Sequence, residues 1–221
     1  DVPPDETLDA ISGHFRLFQL KSGHRFSTDD VLTAWYGTSW VPSATRVLDL
    51  GCGDGSLLAL LNRTRATRGY GVEINDDNIV TCVKNGINVI QNNLESGLST
   101  FESDSFDYVI LSQTLQAVHQ TESIVKEMLR VGRQAIVTFP NFGYWRNRWQ
   151  ILAGRMPVSK TLPYQWYDTP NVHLCTINDF EDFCHKHNVQ ILEREILTRG
   201  NKVELFPNWL GNLAVYRIQS R

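Results

Sequence analysis

"VLDLGCGDG", residues 47–55, is the stretch on which the reading of the fold turns. An apolar run around Asp49 breaks into glycines at alternate positions, Gly51, Gly53 and Gly55, and the helical run "SLLALLNR" follows at once. Glycine between a strand and a helix lets the backbone turn tightly and approach a ligand closely. The next apolar run, "GYGVEI", carries Glu73 about 20 residues beyond the glycines, the spacing at which a carboxylate reaches ribose hydroxyls. The competing reading is a strand turn without a ligand, in which Asp49 caps a helix.

Outward from this turn the periodicity alternates. "RVLDL", "GYGVEI" and "INVIQNN" read as strands separated by the helices "GSLLALLNR" and "DDNIVTCVKNG", a βαβαβ run that implies parallel strands. Next come "FDYVILS" as a strand, a helix over Thr121–Val131 and "QAIVTF" as a fifth strand. After an interruption, "TINDFEDFCHKHN" reads as a helix with Thr176 and Asp179 spaced as a capping box. "VQILEREIL" and "NLAVYRI" complete the sheet as strands six and seven. The expectation is one α/β domain over residues 46–221, preceded by a cover over residues 1–45 and interrupted by an aromatic insert over 140–175. In the cover, "HFRLFQL" and "HRF" are expected to pair as a hairpin, with Ser27 and Asp30 capping the helix "TDDVLTAWYG".

Charge discriminates between ligands for the glycine turn. A pyrophosphate there would face the carboxylates of Asp49 and Asp54, a costly juxtaposition in a partly buried site. Ser56 stands where a dinucleotide fingerprint has its third glycine. A cationic ligand is favoured, and S-adenosylmethionine carries both an ammonium and a sulfonium. At the end of the third strand, the amide oxygen of Asn93 is placed to accept from an adenine amino group and Leu94 to pack on its ring, while Asn92 is read as turn chemistry. Ser112 and Gln113, at the end of the fourth strand, are candidates for the methyl-donor pocket or buried polar caps.

Composition bounds the rest. Lys and Arg total 21 against 24 Asp and Glu, a formal charge of −3, so nothing global points to nucleic acid or an acidic membrane surface. Cys52, Cys82, Cys175 and Cys184 have no C-x-x-C spacing, which argues against a metal site and a disulfide framework and fits a reducing cytoplasm. No run approaches the roughly 20 apolar residues of a membrane span, and "DVPPDETLDA" is acidic rather than a basic signal region.

"VLDLGCGDGSLLALL", "YGVEI", "SFDYVILSQTLQA", the long run from "MLRVGRQAIVTFPNFGYWRNRWQ" to "TINDFEDFC", and "NWLGNLAVY" together resemble the methionine biosynthesis MetW family over residues 46–218. The resemblance implies a Rossmann-like class I S-adenosylmethionine-dependent methyltransferase fold, a seven-stranded, mostly parallel sheet with helices on both faces. It implies a place in methionine biosynthesis beside homoserine O-acyltransferase, as a partner or activator binding S-adenosylmethionine or S-adenosylhomocysteine. The cofactor-binding set it points to is Asp49, Gly51, Cys52, Gly53, Glu73, Ile74, Asn93, Leu94, Ser112 and Gln113, with no metal. The family tends to read "GDL" after the third strand, where this chain has Asn92, Asn93 and Leu94, so the adenine-facing acid is an amide.

Residues 1–45 depart from the family. "GHFRLFQLKSGHRFSTDDVLTAWYG" is similar to the start of methyltransferases acting on adenine N6 of transfer RNA, which would place Phe26, Ser27 and Asp29 near the cofactor. Those enzymes carry an Asn-Pro-Pro-aromatic run after the fourth strand. Here that place holds Ser112, Gln113, Thr114 and Leu115, with neither proline nor ring, which speaks against base methylation. An active methyltransferase on a small molecule or transfer RNA remains the alternative, because methyl transfer from a sulfonium chiefly requires in-line placement of a nucleophile.

The insert interleaves Phe139, Phe142, Tyr144, Trp145, Trp149, Tyr164, Trp166 and Tyr167 with Arg146, Arg148, Arg155 and Lys160, against one acid, Asp168. Stacking on single-stranded nucleic acid, a protein interface and a lid with its own small core all use such residues. The negative net charge and the lack of a continuing basic stripe favour interface and lid. Two residues apart on a helix, Arg146 and Arg148 would point apart. His119 and His173 are the candidate acid–base residues, set against ordinary structural roles. His185 and His187 read as solvated.

Overall fold

The computed structural model describes residues 6–11, 15–21, 28–64, 67–159 and 161–221. Strand β1 (Glu6–Ile11) and strand β2 (Phe15–Leu20) form an antiparallel pair. The strand expected over "HFRLFQL" thus exists, but its partner is the segment before it. His24 and Phe26, and the capping Ser27, lie outside the described residues. The β1–β2 pair is tied to the domain by polar contacts: Gln19 Nε2 donates to Asp54 Oδ2 at 2.8 Å, and Asn85 brackets Phe18, accepting from its amide and donating to its carbonyl.

Helix α1 (Thr28–Trp40) leads into strand β3 (Arg46–Leu50), helix α2 (Ser56–Thr64), strand β4 (Arg68–Glu73), helix α3 (Asp76–Lys84) and strand β5 (Asn88–Gln91). Strand β6 (Phe106–Ser112), helix α4 (Thr121–Val131) and strand β7 (Gly132–Pro140) follow. Helix α5 (Trp145–Leu152) opens the insert, and helix α6 (Ile177–Lys186) closes it under the expected capping box, with Thr176 Oγ1 accepting from the Asp179 amide while the Asp179 carboxylate accepts from Thr176. Strand β8 (Val189–Thr198), strand β9 (Asn201–Lys202), helix α7 (Pro207–Leu210) and strand β10 (Leu213–Ser220) complete the chain.

The main sheet runs β5-β4-β3-β6-β7-β10-β8-β9. Its first five strands are mutually parallel, and β10 inserts antiparallel between β7 and β8. The doubly wound α/β sheet expected from the sequence is therefore present, with one addition: the two-residue β9, turned back by Arg199 and Gly200, both at positive φ. Such a two-residue turn matches the twist of the strands it joins. Apolar side chains pack on both faces. Ile124, Val125 and Met128 of α4 and Phe180 and Cys184 of α6 cover one; Ala34 and Tyr36 of α1 and the leucines of α2 cover the other. Leu48, Leu50, Val109 and Leu111 are wholly excluded from solvent, each contributing about 1.5–3 kcal/mol.

At the end of β7 one buried amide joins three segments. Asn141 Oδ1 accepts from Gly143 and Ile177, and its Nδ2 donates to the carbonyls of Gly211 and Asn208. All four hydrogen-bonding positions of the amide are used, fixing the start of the insert, the start of α6 and the end of α7 to one another. Replacing Asn141 by alanine strands buried backbone groups on each, so Asn141→Ala is expected to cost about 2–5 kcal/mol. Urea denaturation reads this directly; a midpoint unchanged from the parent chain would contradict it.

Candidate functional site

Because β4 and β5 lie on one side of β3 and β6 on the other, the chain reverses its direction of winding between β3 and β6. Open α/β sheets bind ligands in the crevice beyond such a switch point. A cavity of about 530 Å³ lies there. It is lined by Gly51 and Gly53 after β3, Glu73 and Ile74 after β4, Asn92 to Glu95 after β5, Thr114 and Ala117 to His119 after β6, and Pro170 of the insert.

The glycine turn leaves β3 with Gly51 and Cys52 both donating to the carbonyl of Val72. Gly51 has φ 69°, and a Cβ there would come within 3.0 Å of Thr114 Oγ1. A side chain at this position would thus strain the backbone and fill the wall of the cavity. Glu73 holds the turn from the other side. Its Oε2 accepts from Gly53 and its Oε1 from Ile74 and Asn75, each at 2.9 Å. Three of the four acceptor positions of this carboxylate are committed to backbone, leaving one on Oε2 for a ligand hydroxyl.

Asp49 is only 2% exposed and lies beneath the turn rather than in the cavity wall. Burial pushes its carboxyl well above the usual range, and the neighbouring charges of Asp30 and Glu73 push in the same direction. The second acid of the sequence argument is otherwise engaged: Asp54 accepts from the Ser56 amide at the start of α2 and from Gln19. Cys52 is also set back from the cavity. Its sulfur lies 3.9 Å from that of Cys82, and this contact together with burial drives its thiol far up.

Asn93 and Leu94 are in the wall, with the Asn93 side chain capping the 3-10 turn Leu94–Ser96 by accepting from Glu95 at 2.9 Å. Ser112 and Gln113 are not. Ser112 Oγ pairs with Thr138 Oγ1, and the Gln113 amide bonds to Thr138, so both serve the junction of β6 with β7. The structure therefore gathers Gly51, Gly53, Glu73, Ile74, Asn93 and Leu94, and sets Asp49, Cys52, Ser112 and Gln113 behind or beside them. Asn78, Thr114, Ala117, Val118 and Pro170 were not anticipated as lining residues. Thr114 had a signal in its place beside the expected Gln113; Pro170 had none, because a long-range fold of the insert brings it there.

The two candidate histidines meet. His119 lines the cavity, its amide and ring both near Glu95 Oε1, and His173 Nε2 lies 3.1 Å from the carbonyl oxygen of His119. His187, expected to be solvated, instead packs against Phe183 with Nδ1 3.3 Å from Glu122; only His185 is exposed. Phe26, Ser27 and the Asp29 side chain lie outside what is described, and among the described residues before β3 none lines the cavity.

The insert divides its aromatics. Phe139 and Tyr144 are buried, whereas Trp149, Tyr164, Trp166 and Tyr167 are exposed, Trp166 and Tyr167 at 73% and 71%. Arg146 lies over Trp145 and Arg148 over Trp209, so the two guanidiniums do diverge. Among the described residues no helix is long and apolar enough to cross a membrane.

The architecture is that of S-adenosylmethionine-dependent methyltransferases. It is similar to such a methyltransferase from Thermotoga maritima, described as a possible histamine N-methyltransferase, at 17% identity and TM-score 0.62 over 87% of this chain and 89% of that one. A methyltransferase from Archaeoglobus fulgidus matches at 14% identity and TM-score 0.61, over 88% and 95%. The cyclase SpnF matches equally well, at 16% identity and TM-score 0.63 over 90% and 85%, so the fold by itself does not fix the reaction. Within this class the chain belongs to the family of methionine biosynthesis protein MetW, whose family model matches residues 33–218. It is also 39% identical over 177 residues to the bifunctional methionine biosynthesis protein MetXA/MetW of Rhodopirellula baltica. That match takes in 74% of this chain but 28% of the relative.

Glu73 gives the sharpest test of the site as built. Glu73→Gln turns one carboxylate oxygen into an amide nitrogen facing a backbone N–H, whichever way the amide is placed. The expected loss is about 1–3 kcal/mol, read as a lowered thermal midpoint. An unchanged midpoint would mean that the glycine turn does not depend on this clamp.

Proposed function

We propose that the cavity binds S-adenosylmethionine or S-adenosylhomocysteine, and that the chain serves methionine biosynthesis as the partner or activator of a homoserine O-acyltransferase, docking through the insert. The observation that carries the ligand reading is the buried, charge-crowded Asp49 under a glycine turn. A cationic ligand relieves the repulsion that Asp30 and Glu73 impose on it, whereas a phosphate adds to it. The residues suited to the adenosyl part are Gly51 and Gly53 for close backbone approach, the remaining acceptor of Glu73 for ribose, and Asn93 with Leu94 for the base. When bound, S-adenosylmethionine supplies an activated methyl group, and this chain's residues bind and orient it.

Family membership supports the pathway. The relative that names MetXA and MetW in one bifunctional protein supports a two-module arrangement, since fusing modules raises their effective concentration for each other. That the second module is a homoserine O-acyltransferase is what the family resemblance implies. Exposed Trp and Tyr beside Arg, as in the insert, are the residue types that dominate protein interfaces. The alternative, methyl transfer by this chain, is favoured by one observation, His119 in the cavity wall.

Calorimetry with each ligand, with and without the acyltransferase, tests the reading, because any coupling must appear equally in both binding constants. Absence of heat with either ligand would remove the cofactor reading. Absence of acyltransferase binding would remove the partner reading. Methyl label passed from S-adenosylmethionine to a small molecule or transfer RNA would establish the alternative.

Asp49 makes a further prediction with a defined sign. An aspartate ionises near 3.9 in an unfolded chain. Held higher in the fold, it keeps its proton to higher pH, so the folded state binds more protons across that interval and stability falls as pH rises through it. Asp49→Asn is therefore expected to stabilise the ligand-free protein at neutral pH while weakening S-adenosylmethionine roughly 10–100-fold. Destabilisation at neutral pH with full affinity would be the opposite of both. For the partner surface, replacing Trp166 and Tyr167 together by aspartate is expected to abolish acyltransferase copurification without lowering the thermal midpoint, and intact copurification would place the interface elsewhere.

A further inference from the structure

The cavity and the insert share a seam. The amides of Val172 and His173 both donate to the carbonyl of Gln116, at 2.9 and 3.0 Å, and His173 Nε2 lies 3.1 Å from the carbonyl oxygen of His119. Gln116 belongs to the 3-10 turn Leu115–Ala117. The residues just past it on one side of the seam, Ala117 to His119, and Pro170 on the other, line the cavity. A molecule seated there touches both sides. Four and three residues before Pro170 in the chain stand Trp166 and Tyr167, packed edge to face with ring centres 5.7 Å apart and otherwise open to solvent.

The turn on the cavity side is not at its lowest energy. Gln113 holds φ 49°, a left-handed conformation that costs a residue with a Cβ on the order of 1 kcal/mol or more. The side-chain oxygen of Gln116 is buried without a hydrogen-bond partner among the described residues, although its Nε2 donates to the Gln113 carbonyl at 2.8 Å. Strain at Gln113 and an unmet buried acceptor three residues on, at Gln116, mark a segment with another arrangement close in energy.

We propose that occupancy of the cavity controls the insert: a bound ligand, by contacting Pro170 together with residues 117–119, closes the seam and fixes the Trp166–Tyr167 face for its protein partner, and an empty cavity releases it. This rests on the reading that the cavity takes an adenosyl ligand. The chain then reports ligand level to the partner without transferring a methyl group. Ligand and partner stabilise the same closed seam, so each raises the affinity of the other by one common factor, typically about 5–150-fold in coupled sites.

Hydrogen–deuterium exchange on the whole chain, with and without saturating S-adenosylhomocysteine, tests this, because exchange of a bonded amide follows the opening of its local structure. The expected result is exchange at least about 5-fold slower in the peptide containing Val172 and His173, together with protection of the glycine turn. Protection of the glycine turn with residues 170–175 unchanged would overturn the inference while leaving the ligand reading intact. Protection at neither place, with no calorimetric heat, would overturn both. His173→Ala, which removes the ring contact with His119 but no core side chain, is expected to weaken S-adenosylhomocysteine about 5-fold; unchanged affinity in this folded variant would also count against the seam.

Discussion

The Glu73 carboxylate takes one N–H from the glycine turn with one oxygen and two from the start of its own turn with the other. It thereby ties the end of β3 to the end of β4 at the height where the sheet opens. The backbone already ties Gly51 and Cys52 to Val72, and the carboxylate extends that tie to Gly53 and to the turn after β4, where each residue ordered costs about 1–2 kcal/mol. With the carboxylate between them, Gly51, Gly53 and Ile74 form one wall, and the spacing of that wall from Thr114 and Val118 across the switch point defines the cavity. Asn141 performs the matching role on the other half of the sheet, where its four hydrogen bonds hold the insert, α6 and α7 together. Two buried polar side chains therefore organise the loops at one end of a sheet whose interior is apolar.

Burying carboxylates is costly, and this site buries three in proximity: Asp30, Asp49 and Glu73. Glu73 is compensated by backbone donors. Asp49 is left with a raised carboxyl, a state that lowers stability above the pH of ordinary aspartate ionisation. A fold under selection for stability alone would place an amide or an aliphatic side chain there. The retained acid fits a site made to receive positive charge.

Strands and helices of the wound sheet were legible because their hydrophobic period is local: "RVLDL" and "FDYVILS" are buried almost throughout, as central parallel strands must be. Strand β9 was not, because its turn uses Arg199 and Gly200 rather than a strong hairpin pair such as Asn-Gly. The partner of β2 was missed for a related reason, since "ETLDAI" carries little of the β-branched enrichment that marks a strand. At the site, the glycines, Glu73, Asn93 and Leu94 could be placed from strand ends alone. Pro170 and the approach of His187 to Glu122 depend on contacts between distant segments, which no local period encodes. Asp54 shows the converse error, a charge correctly noticed and wrongly aimed, since its oxygens face Ser56 and Gln19.

The end of β6 is where base-methylating enzymes present free amide and carbonyl groups to a substrate amine. Here those groups are occupied by the protein itself. The Ser112 carbonyl accepts from Thr114 Oγ1, the Gln113 carbonyl from Gln116 Nε2, and the Gln116 carbonyl from Val172 and His173. An incoming amine would meet carbonyls that already accept intramolecular hydrogen bonds, one each at Ser112 and Gln113 and two at Gln116. The two bonds to the Gln116 carbonyl also anchor the insert. What the strand end does not offer as a free substrate clamp it uses to join the cavity wall to the insert at Val172 and His173.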